Sequence, residues 1–214
     1  MAVDKHINFF ELEKACEKPG CPLCGIITDR ADRYIDNMLF EHVSDRKFRK
    51  AHRLAGGFCS YHSRNLESVR DGLAVAILGR DILEERLDSF KSRKPWQRKE
   101  PCPVCAERDR IEIEYLGFLA GAGGESTEEK ELRQVFTRSE GLCAPHYGRL
   151  LCSWKRIPRW ITEFHDGKFA GLKQRIDRFI ELSAYGRQEE FRTLEERDKL
   201  VWKELALALR GNVD

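Results

Sequence analysis

Two cysteine motifs occur twice in the chain, and their residue types are those that bind soft metal ions. The motif C-P-x-C occupies residues 21–24 and recurs at 102–105, and the motif G-x-C-x-x-H occupies residues 57–62 and recurs at 141–146. Each repeat therefore supplies three thiols and one imidazole. This Cys3His set is typical of closed, tetrahedral zinc sites, and an internal repeat of this length indicates two homologous helical units.

We expect each repeat to bind one zinc ion with its own four residues. The predicted ligands of one ion are Cys21, Cys24, Cys59 and His62, and those of the other are Cys102, Cys105, Cys143 and His146. Because the two motifs of a repeat lie far apart in sequence, a bound ion would tie distant segments together. Structural zinc of this kind contributes about 10 kcal/mol or more to folding in small peptides.

An iron–sulfur cluster is the alternative cofactor, although all-cysteine ligand sets are commoner for clusters. A cluster, or a labile zinc ion, would make the chain a redox- or metal-responsive protein. Cys16 and Cys152 lie outside the repeat, either as small apolar side chains or as thiols that exchange with a ligand.

Catalysis is not assigned, and the sequence favours a role without it. A Cys3His zinc ion is coordinatively full, whereas a catalytic zinc ion keeps one position open for water. The chain also lacks a P-loop, a dinucleotide fingerprint, G-x-S-x-G and H-E-x-x-H.

Helical periodicity runs through nearly the whole chain and predicts an all-α fold. Pro22 and Pro103 suit the first turn of a helix, so each C-P-x-C motif is expected to open one. Ser126 and Glu129 fit a capping box. The predicted helices span residues 7–17, 22–43, 45–54, 60–90, 103–120, 126–139, 143–155, 158–185 and 188–210.

The motif repeat divides the chain into two pseudo-repeated helical units. Each unit is expected to be cross-linked by its own metal site, and the two units are expected to pack together. The first is expected at residues 1–92 and the second at 93–186, followed by a C-terminal amphipathic helix at 187–214. The long helices after the C-x-x-H motifs are expected to pair across a pseudo-twofold axis.

Charge gives no overall drive toward nucleic acid, because 38 Lys and Arg face 36 Asp and Glu. Basic clusters at residues 46–53 and 91–99, the latter with Trp96, nevertheless offer phosphate contacts and a base-stacking ring. Since 35% of the residues are charged, local runs are expected in any case. A protein partner is therefore the favoured prediction, and nucleic acid is the alternative.

Other sequence features point to the cytoplasm. The longest apolar run, about residues 73–78, is far shorter than the roughly 20 residues of a membrane span. No secretory pattern follows Met1. Eight cysteines in 214 residues are too sparse for a disulfide framework. We therefore expect a cytoplasmic zinc-binding helical scaffold or interaction protein.

The tandem motifs as a set resemble an uncharacterised prokaryotic family of about this length. The resemblance also rests on E-x-x-x-D at residues 41–45, on Arg49 and on the Gly56-Gly57 pair, and it covers most of residues 20–180. Some members of that family are labelled as transporter-associated, which fits poorly with the lack of a membrane span. The family has no settled activity, so the resemblance implies none. The second repeat lacks the E-x-x-x-D and Gly-Gly elements, so any role they have beyond folding would belong to the first half.

Overall fold

The computed structural model of the chain describes residues 6–64, 66 and 71–211. No strand occurs among these residues, and the all-α prediction is confirmed. The described residues form twelve helices: α1 (Ile7–Cys16), α2 (Pro22–Glu41), α3 (Arg46–Leu54), α4 (Ser60–Ser63), α5 (Gly72–Ser92), α6 (Pro103–Gly121), α7 (Thr127–Arg138), α8 (Ala144–Ser153), α9 (Arg159–Leu182), α10 (Gln188–Arg192), α11 (Glu196–Lys199) and α12 (Val201–Arg210).

Side-chain caps set several helix starts. Asp45 accepts a hydrogen bond from the Lys47 backbone N–H at 2.7 Å and opens α3. Ser126 and Glu129 form the predicted capping box at the start of α7. Such caps satisfy backbone donors that have no partner inside the helix.

Two predicted helices are interrupted, so those predictions were wrong in their length. The helix expected over 60–90 is replaced by α4 and α5, because the Asp71 side chain accepts from the Ala74 N–H and starts a new helix. Residues 65 and 67–70, which the predicted helix included, lie outside the described residues. The helix expected over 188–210 is divided into α10, α11 and α12.

The chain forms two compact units, which do not coincide with the two sequence repeats. Unit 1 comprises Met1–Ile27 and Ile113–Asp214, and unit 2 comprises Thr28–Glu112. The boundaries fall inside α2 and α6. Unit 1 is therefore built from two separate chain segments, whereas unit 2 is continuous.

Within unit 1, α1 packs against α7, and the three C-terminal helices pack against α9. Leu172 of α9 is buried together with Val201 and Ala208 of α12. Arg175 of α9 also binds Asp198 at 2.7 Å and Glu204 at 2.8 Å. These contacts hold the short helices α11 and α12 against α9.

Within unit 2, the core is formed by α2, α5 and the start of α6. Its buried residues are Ala31, Ile35, Leu39, Ala74, Leu78, Cys102 and Val104. Helix α3 packs against α5, where Arg49 binds the buried Asp81 through two hydrogen bonds of 2.7 and 2.5 Å. One end of the core therefore reaches the second C-P-x-C motif.

None of the helices in the described part of the chain is both long and apolar enough to cross a membrane.

Candidate metal centres

The structure gathers the eight predicted ligands into two groups, each of three cysteines and one histidine. Site 1 consists of Cys21, Cys24, Cys143 and His146, and site 2 consists of Cys59, His62, Cys102 and Cys105. Within each group all four donor atoms lie within 4.8 Å of one another, so each group could hold a metal ion. Site 1 lies in unit 1, and site 2 lies in unit 2.

The expected pairing within each repeat was wrong, because each C-P-x-C motif meets the C-x-x-H motif of the other repeat. The lengths of α2 and α3 explain why the motifs pair between repeats and not within them. Helix α2 has 20 residues, and its end at Glu41 lies about 25 Å along the helix from Cys24. Helix α3 has nine residues and spans only about 14 Å, so it does not return Cys59 to that point.

Each type of motif has the same local structure in both sites. Pro22 and Pro103 are the first residues of α2 and α6, as predicted. Cys59 and Cys143 occupy the N-cap positions of α4 and α8, and neither side chain makes a capping hydrogen bond. Both sulfurs therefore remain available to the site, with the motif histidine following on the first helical turn.

In site 1, the imidazole Nδ1 of His146 faces three sulfurs. It lies 3.4 Å from Cys21 Sγ, 3.6 Å from Cys24 Sγ and 3.2 Å from Cys143 Sγ. The sulfurs of Cys24 and Cys143 are 3.8 Å apart. All four residues are buried.

Site 2 repeats this geometry around Nδ1 of His62. The nitrogen lies 3.3 Å from Cys59 Sγ, 3.5 Å from Cys102 Sγ and 3.4 Å from Cys105 Sγ. The sulfurs of Cys59 and Cys105 are 3.7 Å apart. This site is more open than site 1, because Cys105 is exposed and Cys59 is half-buried.

These separations fit the edges of a tetrahedron around one zinc ion. With Zn–S bonds of about 2.3 Å and a Zn–N bond of about 2.1 Å, a regular tetrahedron has S···S edges of about 3.8 Å and S···N edges of about 3.6 Å. The two sulfur–sulfur distances match that value within 0.1 Å. The same sulfurs are far beyond the roughly 2.05 Å of a disulfide bond, and all eight cysteines are free thiols.

Proton affinities are strongly perturbed within site 1. Burial opposes ionisation of Cys21, but hydrogen bonds from Cys143, Cys24 and His146 lower its pKa well below the ordinary thiol value. The pKa of Cys24 is raised by its hydrogen bonds with Cys143 and Cys21. Burial lowers the pKa of His146, but contacts with Cys143 and Cys21 outweigh it and raise the pKa to about 10. The group therefore favours thiolate, the form of cysteine that binds metal, at Cys21.

The pKa values are shifted differently within site 2. Burial would raise the pKa of Cys59, but the backbone N–H of His62 and a hydrogen bond from Cys105 lower it. Burial is also the main reason that the pKa of Cys105 is raised to about 12. The pKa of His62 is lowered by burial and by the guanidinium of Arg108, whose Nη1 lies 3.3 Å from Nε2. A neutral imidazole is the form that binds a metal ion.

A buried histidine, His165 of α9, supports the ligand loop of site 1. His165 Nε2 accepts a hydrogen bond from the Leu142 N–H at 2.9 Å, and its Nδ1 donates to the Ile161 carbonyl at 2.7 Å. Lys168 Nζ donates to the Leu142 carbonyl at 3.0 Å. Both backbone groups of the residue before Cys143 are thus fixed from α9. His165 has no counterpart in the other repeat, so the repeated motifs did not reveal this role.

Backbone conformation makes glycine necessary in the same loop. Gly141 has a φ of 62°, and a Cβ added there would lie 2.5 Å from Phe164 Cε1 and 3.2 Å from His165 Nε2. Its motif counterpart Gly57 has a φ of 74° and lies against His52, another buried histidine. The glycine of G-x-C-x-x-H therefore packs against a histidine in each unit, supplied by α9 in one and by α3 in the other.

Other residues singled out in the sequence do not join the two groups. Cys16 is half-buried, and burial raises its pKa to about 11, whereas Cys152 is exposed on α8. Asp45 caps α3, and Glu41 is exposed. The E-x-x-x-D element therefore has a local structural role at Asp45.

Two tryptophans near the second C-x-x-H motif have structural contacts. Trp160 Nε1 donates to the Ala122 carbonyl at 2.9 Å. The ring of Trp154 lies beside Gly117, where an added Cβ would be 3.5 Å from Cζ2.

The fold and the two groups define a helical protein with two Cys3His clusters that could hold metal ions. A protein of Caldicellulosiruptor sp. (strain Rt8B.4), called an uncharacterized 23.9 kDa protein in xynA 3'region, is 31% identical to this chain over 172 residues. The match covers 77% of this chain and 83% of the relative. The chain therefore belongs to the same family as that protein. No family model and no solved structure matches the chain.

Proposed function

We propose that the chain is a cytoplasmic zinc-binding helical scaffold or interaction protein in which sites 1 and 2 each hold one structural zinc ion. The observation that carries this proposal is the tetrahedral spacing of two complete Cys3His sets. Eight donors from four distant motifs meet in two groups of the composition and size that a single zinc ion requires. The tandem motifs are proposed as the shared feature of the family.

The donor chemistry supports zinc over the alternatives. Thiolate and imidazole ligands suit zinc, whereas magnesium, calcium and manganese prefer oxygen donors. An iron–sulfur cluster attaches its ligands to different iron atoms, so it spreads them further than a single ion does. Donor atoms that all lie within 4.8 Å of one another support the single ion.

A structural rather than catalytic role follows from the number of donors. Three thiolates and one imidazole fill a tetrahedral zinc ion and leave no position for water. When bound, zinc supplies a cross-link: it would join residues 21–24 to 143–146 in unit 1, and 59–62 to 102–105 in unit 2. Metal binding would therefore contribute directly to the free energy of folding.

Elemental analysis and an absorption spectrum of the protein purified without oxygen test this proposal. We expect about two zinc ions per chain and a colourless solution, because zinc has a filled d shell. The double variant Cys16→Ser/Cys152→Ser is the matched control, since it removes the two thiols outside the sites and is expected to keep both ions. Iron with broad visible absorption would overturn the proposal in favour of a redox centre, and so would a folded protein that contains no metal.

A further inference from the structure

We propose that unit 2 carries a binding surface for the phosphodiester backbone of nucleic acids, formed by α3 and residues 91–99. This inference goes beyond the proposed zinc scaffold and rests on the arrangement of cations in unit 2. The two segments are separated by α4 and α5 in sequence. Residues 46–54 and residues 91–99 each contain five Lys or Arg and no Asp or Glu.

The fold brings these two basic segments together. The Lys99 and Glu100 backbone N–H groups both donate to the Leu54 carbonyl at the end of α3, at 2.9 and 3.3 Å. At the other end of the segment, the Lys94 N–H donates to the Ser89 carbonyl at 3.2 Å, and the Ser89 hydroxyl donates to the Lys94 carbonyl. Main-chain hydrogen bonds thus anchor the segment at both ends.

Trp96 fixes the middle of the segment and faces inward. Its Nε1 donates to Glu85 Oε2 at 3.3 Å, and the Arg86 guanidinium lies 3.8 Å from the ring centroid. The ring also packs against Gly56, whose φ of 62° and missing side chain make room for it. Trp96 is therefore engaged within the unit and is not offered as a stacking platform for bases.

The ten cations of the two segments divide into four with a partner in the described part of the chain and six without. Lys91 lies 3.7 Å from Asp88, and Arg98 donates to the Phe58 carbonyl at 3.3 Å. Arg49 and Arg53 are directed to the acidic residues of α5, where Arg49 binds Asp81 and Arg53 lies 4.0 Å from Glu85. Six others are exposed and form no ion pair with any part of the chain that the structure describes: Arg46, Lys47, Lys50, Arg93, Lys94 and Lys99. The structural pairs hold the segments in place, and the six remaining charges point to an anionic partner.

The chemistry of this surface favours a phosphate backbone over an acidic protein. Neither segment has a large exposed apolar side chain, whereas protein interfaces bury an apolar and aromatic core. Duplex DNA presents about one negative charge per 1.7 Å of its axis, which suits two adjoining segments with several exposed cations and no apolar anchors. Because the main chain is already anchored, only the cationic side chains need to become ordered on binding.

Fluorescence anisotropy with zinc-loaded, full-length protein tests the proposal. The probes are a DNA duplex and an RNA duplex of the same sequence, each of about 20 base pairs, titrated between about 50 and 200 mM salt. We expect a Kd of order 10 µM at the lower salt concentration, and a logarithmic salt slope of about −4. Whichever duplex binds more tightly identifies the natural source of the backbone.

The test variant carries Lys47→Gln, Lys50→Gln, Lys94→Gln and Lys99→Gln. It is expected to bind at least about tenfold more weakly at the lower salt concentration and to reduce the salt slope by about 2 or more. The matched control carries the same charge change on other exposed lysines: Lys14→Gln, Lys130→Gln, Lys155→Gln and Lys173→Gln. The control is expected to keep the affinity within about twofold.

Three results would overturn the proposal: no binding or salt-independent binding by the wild-type protein, an equal loss in the control, or tighter binding of poly-L-glutamate of the same charge. The last result would assign the surface to an acidic protein. The salt slope of the wild-type protein tests the proposal even if a variant does not fold. Zinc content measured on the same samples separates failure of this surface from failure of the proposed metal sites.

Discussion

Sγ of Cys21 lies 3.4 Å from Nδ1 of His146, although the two residues are 125 positions apart in the chain. The second cluster closes a much shorter loop, since Cys105 and His62 are 43 positions apart. In sequence, residues 62–105 fall between the two chain segments that form unit 1. Site 1 therefore draws its ligands from both segments of a discontinuous unit, and site 2 lies within the continuous one.

The different exposure of the two sites predicts stepwise loss of metal. Cys105 is exposed and Cys59 is half-buried in site 2, whereas all four residues of site 1 are buried. A chelator or alkylating reagent should therefore remove the metal of site 2 first. We expect native mass spectrometry to show a persistent intermediate with one zinc ion, and peptide mapping to show labelled Cys59 and Cys105 in it.

The alkylating reagent will also label Cys152, which is exposed and lies in neither cluster. The Cys152→Ser variant removes this label and should release metal at the wild-type rates. Simultaneous release of both ions, or earlier labelling of Cys21 and Cys24, would contradict the assigned exposure.

The conformation of Gly141 predicts a large effect from a single methyl group. Gly141→Ala would place a Cβ 2.5 Å from Phe164 at a φ of 62°, in the loop that leads to Cys143. We expect a loss of about 2 kcal/mol in the free energy of unfolding, together with weaker zinc retention at site 1. Urea unfolding and competition with a chelator measure the two effects.

Gly148 provides the matched control in the same unit. It lies within α8, and an added Cβ there would meet no atom within 4 Å. Gly148→Ala should therefore stabilise the protein by about 0.5–1 kcal/mol through the helix preference of alanine. Equal effects of the two substitutions would show that the loop does not need its left-handed glycine.

Burial of His52 predicts that part of the stability is lost on mild acidification. Burial lowers the pKa of His52 from 6.5 to about 4, so the folded protein holds the ring neutral. The unfolded chain binds a proton once the pH falls below 6.5, which favours unfolding. The stability is therefore fully present above that pH and is lost progressively toward pH 4. Between pH 7.5 and 5.5 the loss amounts to about 1.3 kcal/mol.

His52→Phe should remove this part of the pH dependence, because the ring lies among aromatic side chains, with Phe48 and Phe58 centroids 5.8 and 5.1 Å away. His42→Phe is the control, since it makes the same replacement at an exposed position of unit 2. Urea unfolding at the two pH values measures the difference. An unchanged slope in His52→Phe would show that His52 does not titrate as its burial requires.

Much of the fold follows from local sequence signals. The prolines of the C-P-x-C motifs and the capping box of Ser126 were sufficient to place helix starts. The interruption at Asp71 was missed because the apolar periodicity continues on both sides of it, and only the cap to Ala74 reveals the break.

The candidate sites were predictable in composition but not in pairing. Residue types and spacing single out eight donors, and they also suggest that each repeat is self-contained. Which motifs meet depends on the lengths and directions of α2 and α6, which no local pattern records. The supporting role of His165 was equally hidden, since it depends on packing between α9 and a loop 23 residues earlier.

Zinc stoichiometry in two double-cysteine variants tests the exchanged metal sites most directly. Cys24→Ser/Cys143→Ser removes two ligands from site 1 alone, so this variant should retain about one zinc ion per chain in the presence of a competing chelator. Cys24→Ser/Cys59→Ser removes one ligand from each site and should retain almost none. One zinc ion retained by the second variant and none by the first would contradict the exchanged pairing and support sites formed within each repeat.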